Sequence, residues 1–275
     1  MANYLLSREK MNNILQEIIT NKRLEVERLK EVIPESFLRD RLSFETREII
    51  SMKKAIRNSR SGIIAEFKRR SPSKGYIHEN AEVDQIVKGY EDNGASAISC
   101  LTDTKFFGGG IDDFRKARKT LDRTPLLRKE FIIDEYQIYQ SYIMGADAIL
   151  LIASVLNPEE VYRFTQLAHT LEMEVLLEIH NKSDLSLIES HPDMVGINNR
   201  DLKTFKTDIR HSIALAEKLP EEFVRVSESG LSDPKTVLEL RKHGFQGFLM
   251  GEAFMRKEDP AKELRKFMKK LKYED

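Results

Sequence analysis

The chain has 275 residues, 40% of them hydrophobic, with 45 basic and 45 acidic side chains and a net charge of +0. That length and apolar share suit a packed core in one piece, and the neutral balance argues against nucleic-acid or acidic-membrane binding. One cysteine, Cys100, excludes an internal disulfide and any CxxC metal site, and no apolar run approaches a membrane span or a signal-peptide core.

Residues 1–60 read as an all-helical extension. Met11, Ile14, Leu15, Ile18, Val26 and Leu29 recur at helical spacing among charges, and Pro34 ends or redirects that helix. A second amphipathic piece is expected over about Phe44 to Ile56, and a polar link at 59–62 leads into the first strand.

From Ile63 onward, short apolar runs alternate with capped amphipathic helices. The runs end near Glu66, Leu101, Lys129, Leu151, Glu178, Asn198, Glu228 and Gly251, in steps of 20 to 35 residues. Each step is long enough for a helical crossover between parallel strands. Asn80 is expected to cap the helix that carries Val83, Ile86, Val87 and Tyr90 and stops at Gly94. Asp134 with Gln137 reads as a capping box closed by Gly145. Asn157-Pro158, Asp233-Pro234 and Asp259-Pro260 mark further helix starts, the last opening the terminal helix with Leu264, Phe267, Met268 and Leu271. Eight β/α units predict a single α/β domain over 1–275, a (β/α)8 or TIM barrel preceded by the N-terminal helical extension 1–60. No GxGxxG follows a strand, which weakens an open doubly wound sheet.

Active sites of such barrels lie at the C-terminal strand ends. Those ends carry Glu66 and Lys68, Lys129 and Glu130, Glu178, Asn198 with Arg200, and Glu228 with Ser229. Any one of these is equally well half of a structural ion pair; the set at matching ends is what acid–base chemistry requires. Ser229-Gly230 after the seventh strand and Gly251 after the eighth fit the usual phosphate-binding loops, with Ser71 to Gly75 and Arg200 as added donors. Glu252 stands against this unless its side chain turns outward while its N–H faces in. Phe106 to Gly110 is either a mobile lid with aromatics or a flexible turn, and Phe131 and Leu150 offer apolar walls. The six histidines form no ligand cluster in sequence, most being expected at the surface or at helix ends, and no metal is expected.

The segments IAEFKRRSPSKG, SCLTDTKFFGGG, LLRKEFIID, GADAILLIA, LLEIH, VGINNRDLKTF, VSESG and FLMGEAFM together resemble the indole-3-glycerol phosphate synthase family of tryptophan biosynthesis, from about residue 10 to 270. The resemblance implies decarboxylating, dehydrating ring closure of 1-(2-carboxyphenylamino)-1-deoxyribulose 5-phosphate. It implies Lys129 as proton donor to the carbonyl, Lys68 on the substrate carboxylate, and Glu178 as base, with Glu66, Asn198 and Glu228 orienting or sharing protons. It places Ser229, Gly230, Gly251 and Glu252 at the phosphate, Arg200 and Ser71 near it, and Phe107, Phe131 and Leu150 beside the aromatic ring. It implies no cofactor, a sugar-phosphate small molecule as the partner, and an N-terminal helical extension packed over the barrel mouth; a monomer is expected, and the lack of a signal-peptide core or membrane span leads to a cytoplasmic expectation. The division of acid roles between the lysines stays open. The family pattern has Asp after the third-strand lysine where this chain has Glu130, one carbon longer, which bears on the placement of Lys129. Alternatives are phosphoribosylanthranilate isomerase, a Schiff-base aldolase using Lys129, and a phosphate-ligand sensor without turnover.

Overall fold

A computed structural model describes residues 2–44, 46–200 and 208–271, with side chains from residue 14 onward. Met11 and the part of VGINNRDLKTF beyond Arg200 therefore lie outside the described side chains and residues. Eight parallel strands close into a barrel in sequence order. They are β1 (Ile63–Phe67), β2 (Ala97–Leu101), β3 (Leu126–Lys129), β4 (Ala148–Ile152), β5 (Glu174–Ile179), β6 (Met194–Asn198), β7 (Val224–Glu228) and β8 (Phe245–Met250). All eight anticipated strand ends fall within a residue of these.

The strands read as near-continuous apolar runs because both faces are covered. Ile63, Ala65 and Phe67 pack outward against the helices, and Ile64 packs inward with Ala97, Leu127, Ala148, Leu150, Leu176, Met194, Val224, Val226 and Leu249. The period of two carries this alternation to the strand ends. Glu66, Lys129, Glu178, Asn198 and Glu228 continue the inward rows at the C-terminal ends. Cys100 lies on the outward face, buried in the packing shell.

The extension is more intricate in path than its sequence suggests. Helix α1 (Ala2–Val32) reaches the mouth, where Lys22 meets the ends of β2 and β3. Pro34 redirects the chain into α2 (Glu35–Leu42), which packs on the helix Glu135–Met144. The expected helix over Phe44 to Ile56 is shorter and later: 46–51 is non-helical and α3 spans Met52–Asn58. Arg47 and the Ile50 N–H are both bound to Asp147, which holds that stretch off the helical path. Ser51 and the Lys53 N–H bind Glu174 at the start of β5, so α3 closes the barrel's N-terminal end. Met52 and Ile56, 0% and 1% exposed, plug the interior there, about 1.5–3 kcal/mol of burial each.

Two expected caps differ. Glu82, not Asn80, precedes the helix Val83–Asp92, without a side-chain cap bond. Asp134 accepts from the Tyr136 N–H, but Gln137 turns to the Ile133 N–H and the Phe131 carbonyl, so no reciprocal box forms. Asn157 with Glu160 does form one. Between β5 and β6, the shortest step, the crossover is a 3-10 run, Lys182–Ser190, started by an Asn181–Asp184 box.

Candidate active site

The inward groups at the mouth form one hydrogen-bonded set. Lys129 Nζ lies 2.5 Å from Glu228 Oε2 and 3.4 Å from Glu178 Oε2. Glu178 Oε1 accepts from Asn198 Nδ2 at 3.0 Å and faces His180 Nε2 at 3.0 Å. Lys68 Nζ pairs with Glu66 Oε1 at 2.7 Å, as the i, i+2 spacing on one strand face requires. The charge of Glu66 also acts on Lys129.

Environment separates these groups. Burial depresses the Lys129 ammonium, yet the carboxylates of Glu228, Glu178 and Glu66 outweigh burial and hold it above the ordinary lysine range. Burial likewise pushes Glu178 up, but Lys129, His180 and Asn198 together hold it well below the usual carboxylate range. Glu228 pairs with Lys129, and its Oε1 has no hydrogen-bond partner among the described residues. Burial and the neighbouring Glu178 charge push it up to about 7. Two buried carboxylates thus differ in charge state: Glu178 is held ionised, whereas Glu228 holds a proton up to about neutral pH.

Gly196 makes room for this. A Cβ there would stand 2.1 Å from Glu228 Oε1 and 3.3 Å from Leu176 Cδ1. A lone glycine inside an apolar strand signals such a close approach. Gly196→Ala is expected to displace Glu228, lowering kcat at least about tenfold and stability by about 1–3 kcal/mol. Turnover assays and the thermal midpoint check both.

The loops supply the rest. Ser229 and Gly230 both adopt left-handed backbone, with φ of +70° and +73°; for a serine this is strain that points to function. Asn199 Nδ2 pins the turn by donating to the Ser229 carbonyl and Ser227 Oγ, each at 2.9 Å. Gly251 caps the turn Glu252–Met255, and a Cβ on it would sit 2.6 Å from Glu66 Oε1. Glu252 is drawn onto Lys74, at 2.6 Å, and Arg256, which removes the objection its charge raised. Burial pushes the Glu252 carboxyl up, but these cations and Lys68 hold it below its usual range. Ser71, on a hairpin of Arg70–Ser71 with Gly75–Tyr76, is buried with its hydroxyl unpartnered among the described residues. The Arg200 N–H donates to Asn198 Oδ1 at 3.0 Å.

On the aromatic side, Phe107 and Phe131 stand with ring centres 5.9 Å apart. Phe107 ends a helical turn, Thr104–Phe107, that is capped by Asp103 and closed by left-handed Gly108, the first of the three glycines. Leu150 lies deeper, 2% exposed, with Ile152 on the same inward row nearer the mouth. Glu130 does not face the barrel interior: the alternation that turns Lys129 inward turns Glu130 outward, where Thr102 Oγ1 donates to it at 2.6 Å. His180 departs from the surface placement expected of most histidines. It sits two residues beyond Glu178, and period-two alternation from Glu178 was the signal that could have found it.

A closed (β/α)8 barrel with an ammonium shared by two carboxylates, a second lysine–glutamate pair and anion-suited loops defines an acid–base enzyme for an anionic substrate. The family model for indole-3-glycerol phosphate synthase matches residues 15–267. A relative so named from Bacteroides thetaiotaomicron is 52% identical over 261 residues, covering 95% of this chain and 100% of the relative. One from Salinibacter ruber is 40% identical over 253 residues, 92% of this chain and 94% of the relative. The solved 3-hexulose-6-phosphate synthase from Salmonella typhimurium shares the fold, with a TM-score of 0.62 at 16% identity, over 76% of this chain and 98% of that one.

The chain belongs to the indole-3-glycerol phosphate synthase family. It is a carboxy-lyase of tryptophan biosynthesis, closing the indole ring with loss of CO2 and water.

Proposed function

We propose that the ring closure is divided among the mouth residues as follows. The substrate, 1-(2-carboxyphenylamino)-1-deoxyribulose 5-phosphate, binds with its carboxylate on Lys68 and its aromatic ring flanked by the paired rings of Phe107 and Phe131 and by Leu150. The ring carbon bearing the carboxylate attacks the ribulose carbonyl, and the developing oxyanion takes a proton from the Lys129 ammonium. The carboxylate leaves as CO2, its bonding electrons restoring aromaticity. Lys129, now neutral, is recharged by the proton on Glu228, 2.5 Å away. Dehydration then expels the new hydroxyl as water, with Glu178 taking the remaining proton and Lys129 or Lys68 protonating the departing oxygen. Glu66 and Asn198 orient Lys68 and Glu178.

Ser229, Gly230, Gly251 and the Glu252 N–H hold the phosphate, with Arg200 and the free Ser71 hydroxyl beside it. Protons and binding suffice, so no cofactor is needed. Residues 1–275 act as one domain and as a monomer. No helix among the described residues is long and apolar enough to cross a membrane, the basic and acidic side chains balance in number, and the enzyme is taken to work in the cytoplasm without nucleic acid.

The observation that carries this reading is the placement of Lys129 between Glu178 and Glu228 at the strand ends. The purified chain is expected to form fluorescent indole product without added metal or nucleotide. Lys68→Ala is expected to raise KM and lower kcat/KM about 10²-fold or more, as loss of a desolvated charge pair requires. No product from folded wild-type protein, or an unchanged kcat/KM in Lys68→Ala, would overturn the assignment. The aldolase reading is disfavoured because a lysine held above its ordinary range is a poor amine nucleophile.

A further inference from the structure

The most buried lysine of the described chain lies outside the barrel interior and takes no part in the chemistry above. Lys22, on α1, is 1% exposed. Its Nζ stands 3.2 Å from Asp103 Oδ2, 3.1 Å from Glu130 Oε1 and 2.9 Å from Glu25 Oε2. A fully desolvated lysine is costly unless its partners are worth fixing in place. Burial depresses its ammonium, but Glu130, Asp103 and Glu25 outweigh burial and hold it charged.

Both buried partners of Lys22 support an aromatic wall of the site. Asp103 Oδ1 accepts from the Phe106 N–H at 2.8 Å, capping the single helical turn that carries Phe107. Glu130 Oε1 accepts from the Phe131 N–H at 2.8 Å. One ammonium therefore grips the two carboxylates that fix the backbones of Phe107 and Phe131, whose rings face each other. The second oxygen of Glu130 stays on Thr102, so both oxygens of this carboxylate are held.

We propose that Lys22 is a positioning residue that holds the contacting rings of Phe107 and Phe131 in place as one wall of the site, so that the amino-terminal helix tunes recognition of the substrate's aromatic ring. This rests on the reading that those two rings flank the substrate. The effect falls on ground-state binding: Lys22→Met is expected to raise KM about tenfold with kcat changed less than about threefold. Lys22→Arg, which keeps the charge, is expected to restore most of the KM.

Lys30 separates positioning from simple docking of the helix. It also ties α1 to the barrel, with Nζ 2.8 Å from Asp134 Oδ2, but touches neither aromatic wall. Lys30→Met is expected to leave KM unchanged. The inference is overturned if Lys22→Met keeps the wild-type KM, or if Lys30→Met raises KM equally. If Lys22→Met does not fold, Lys22→Met/Glu130→Gln removes one of the two buried charges left without a cation and carries the same readout. Phe131→Leu tests the underlying reading separately. An unchanged KM there removes the ring-flanking role itself, whereas a raised KM beside a wild-type-like Lys22→Met sinks only the role of Lys22.

Discussion

Lys129→Met is expected to lower kcat by about 10²- to 10⁴-fold, the range of a lost general acid, while the barrel still folds. The methionine fills the lysine stem's volume but offers no proton to the developing oxyanion. It also leaves Glu178 and Glu228, both buried, without the ammonium that now lies within 3.4 Å of each. Two such carboxylates meet that loss by holding protons, so both pKa values rise. For Glu178 the consequence is kinetic: its basic form survives only at higher pH, and the residual rate should gain an acid limb that wild-type protein lacks. For stability the sign follows from linkage. Folded-state pKa values raised above the unfolded ones cost stability as pH rises, so the variant's thermal midpoint should fall further below wild type at pH 8 than at pH 5. Product fluorescence across pH, with circular dichroism for the fold, measures all three effects. A wild-type-like kcat would remove Lys129 from the reaction.

Glu228→Gln should separate stability from activity. In wild type burial raises the folded-state pKa to about 7 from the ordinary glutamate value of 4.5. The folded protein therefore holds a proton that the unfolded chain releases between those values, and wild-type stability falls as pH rises through that window. At about 1.4 kcal/mol per unit, ionising Glu228 in place costs on the order of 3 kcal/mol by pH 8 as an upper bound. Glutamine keeps the shape and the acceptor oxygen toward Lys129 but never ionises. The difference in unfolding free energy between variant and wild type should thus move in the variant's favour from pH 5 to pH 8. The opposing contribution of Glu178, whose pKa is lowered, titrates below that window. Activity should move the other way, with kcat down about 10- to 100-fold because glutamine cannot recharge Lys129. Denaturant unfolding at the two pH values measures the first effect, and a difference independent of pH would contradict the raised pKa. An unchanged kcat would take Glu228 out of the proton path.

The reach of local pattern can be followed residue by residue. Apolar runs broken by helix caps determine the eight strands, and the two-residue period determines that Glu66 and Lys68, or Glu178 and His180, share a face. The same period determines that Lys129 and Glu130 cannot, so the error over Glu130 came from counting strand ends without applying the alternation. Gly196 was equally legible as a lone glycine within an apolar run.

Closure of the barrel decided the rest. Lys129 meets Glu178 and Glu228 across separations of 49 and 99 residues, and no spacing along the chain encodes which carboxylate keeps its proton. That depends on Lys129, Asn198 and His180 all serving Glu178, while among the described residues Glu228 pairs with Lys129 and keeps one oxygen without a hydrogen bond. Asp147 and Glu174 likewise fixed the path of the extension by binding 46–53 at the far end of the barrel. Lys22 is one charge among many on an exposed-looking helix until Asp103 and Glu130 arrive from two different strands. Local periodicity fixes which way a side chain points; its partners, and hence its desolvation and charge state, exist only once distant segments are brought within a few ångströms.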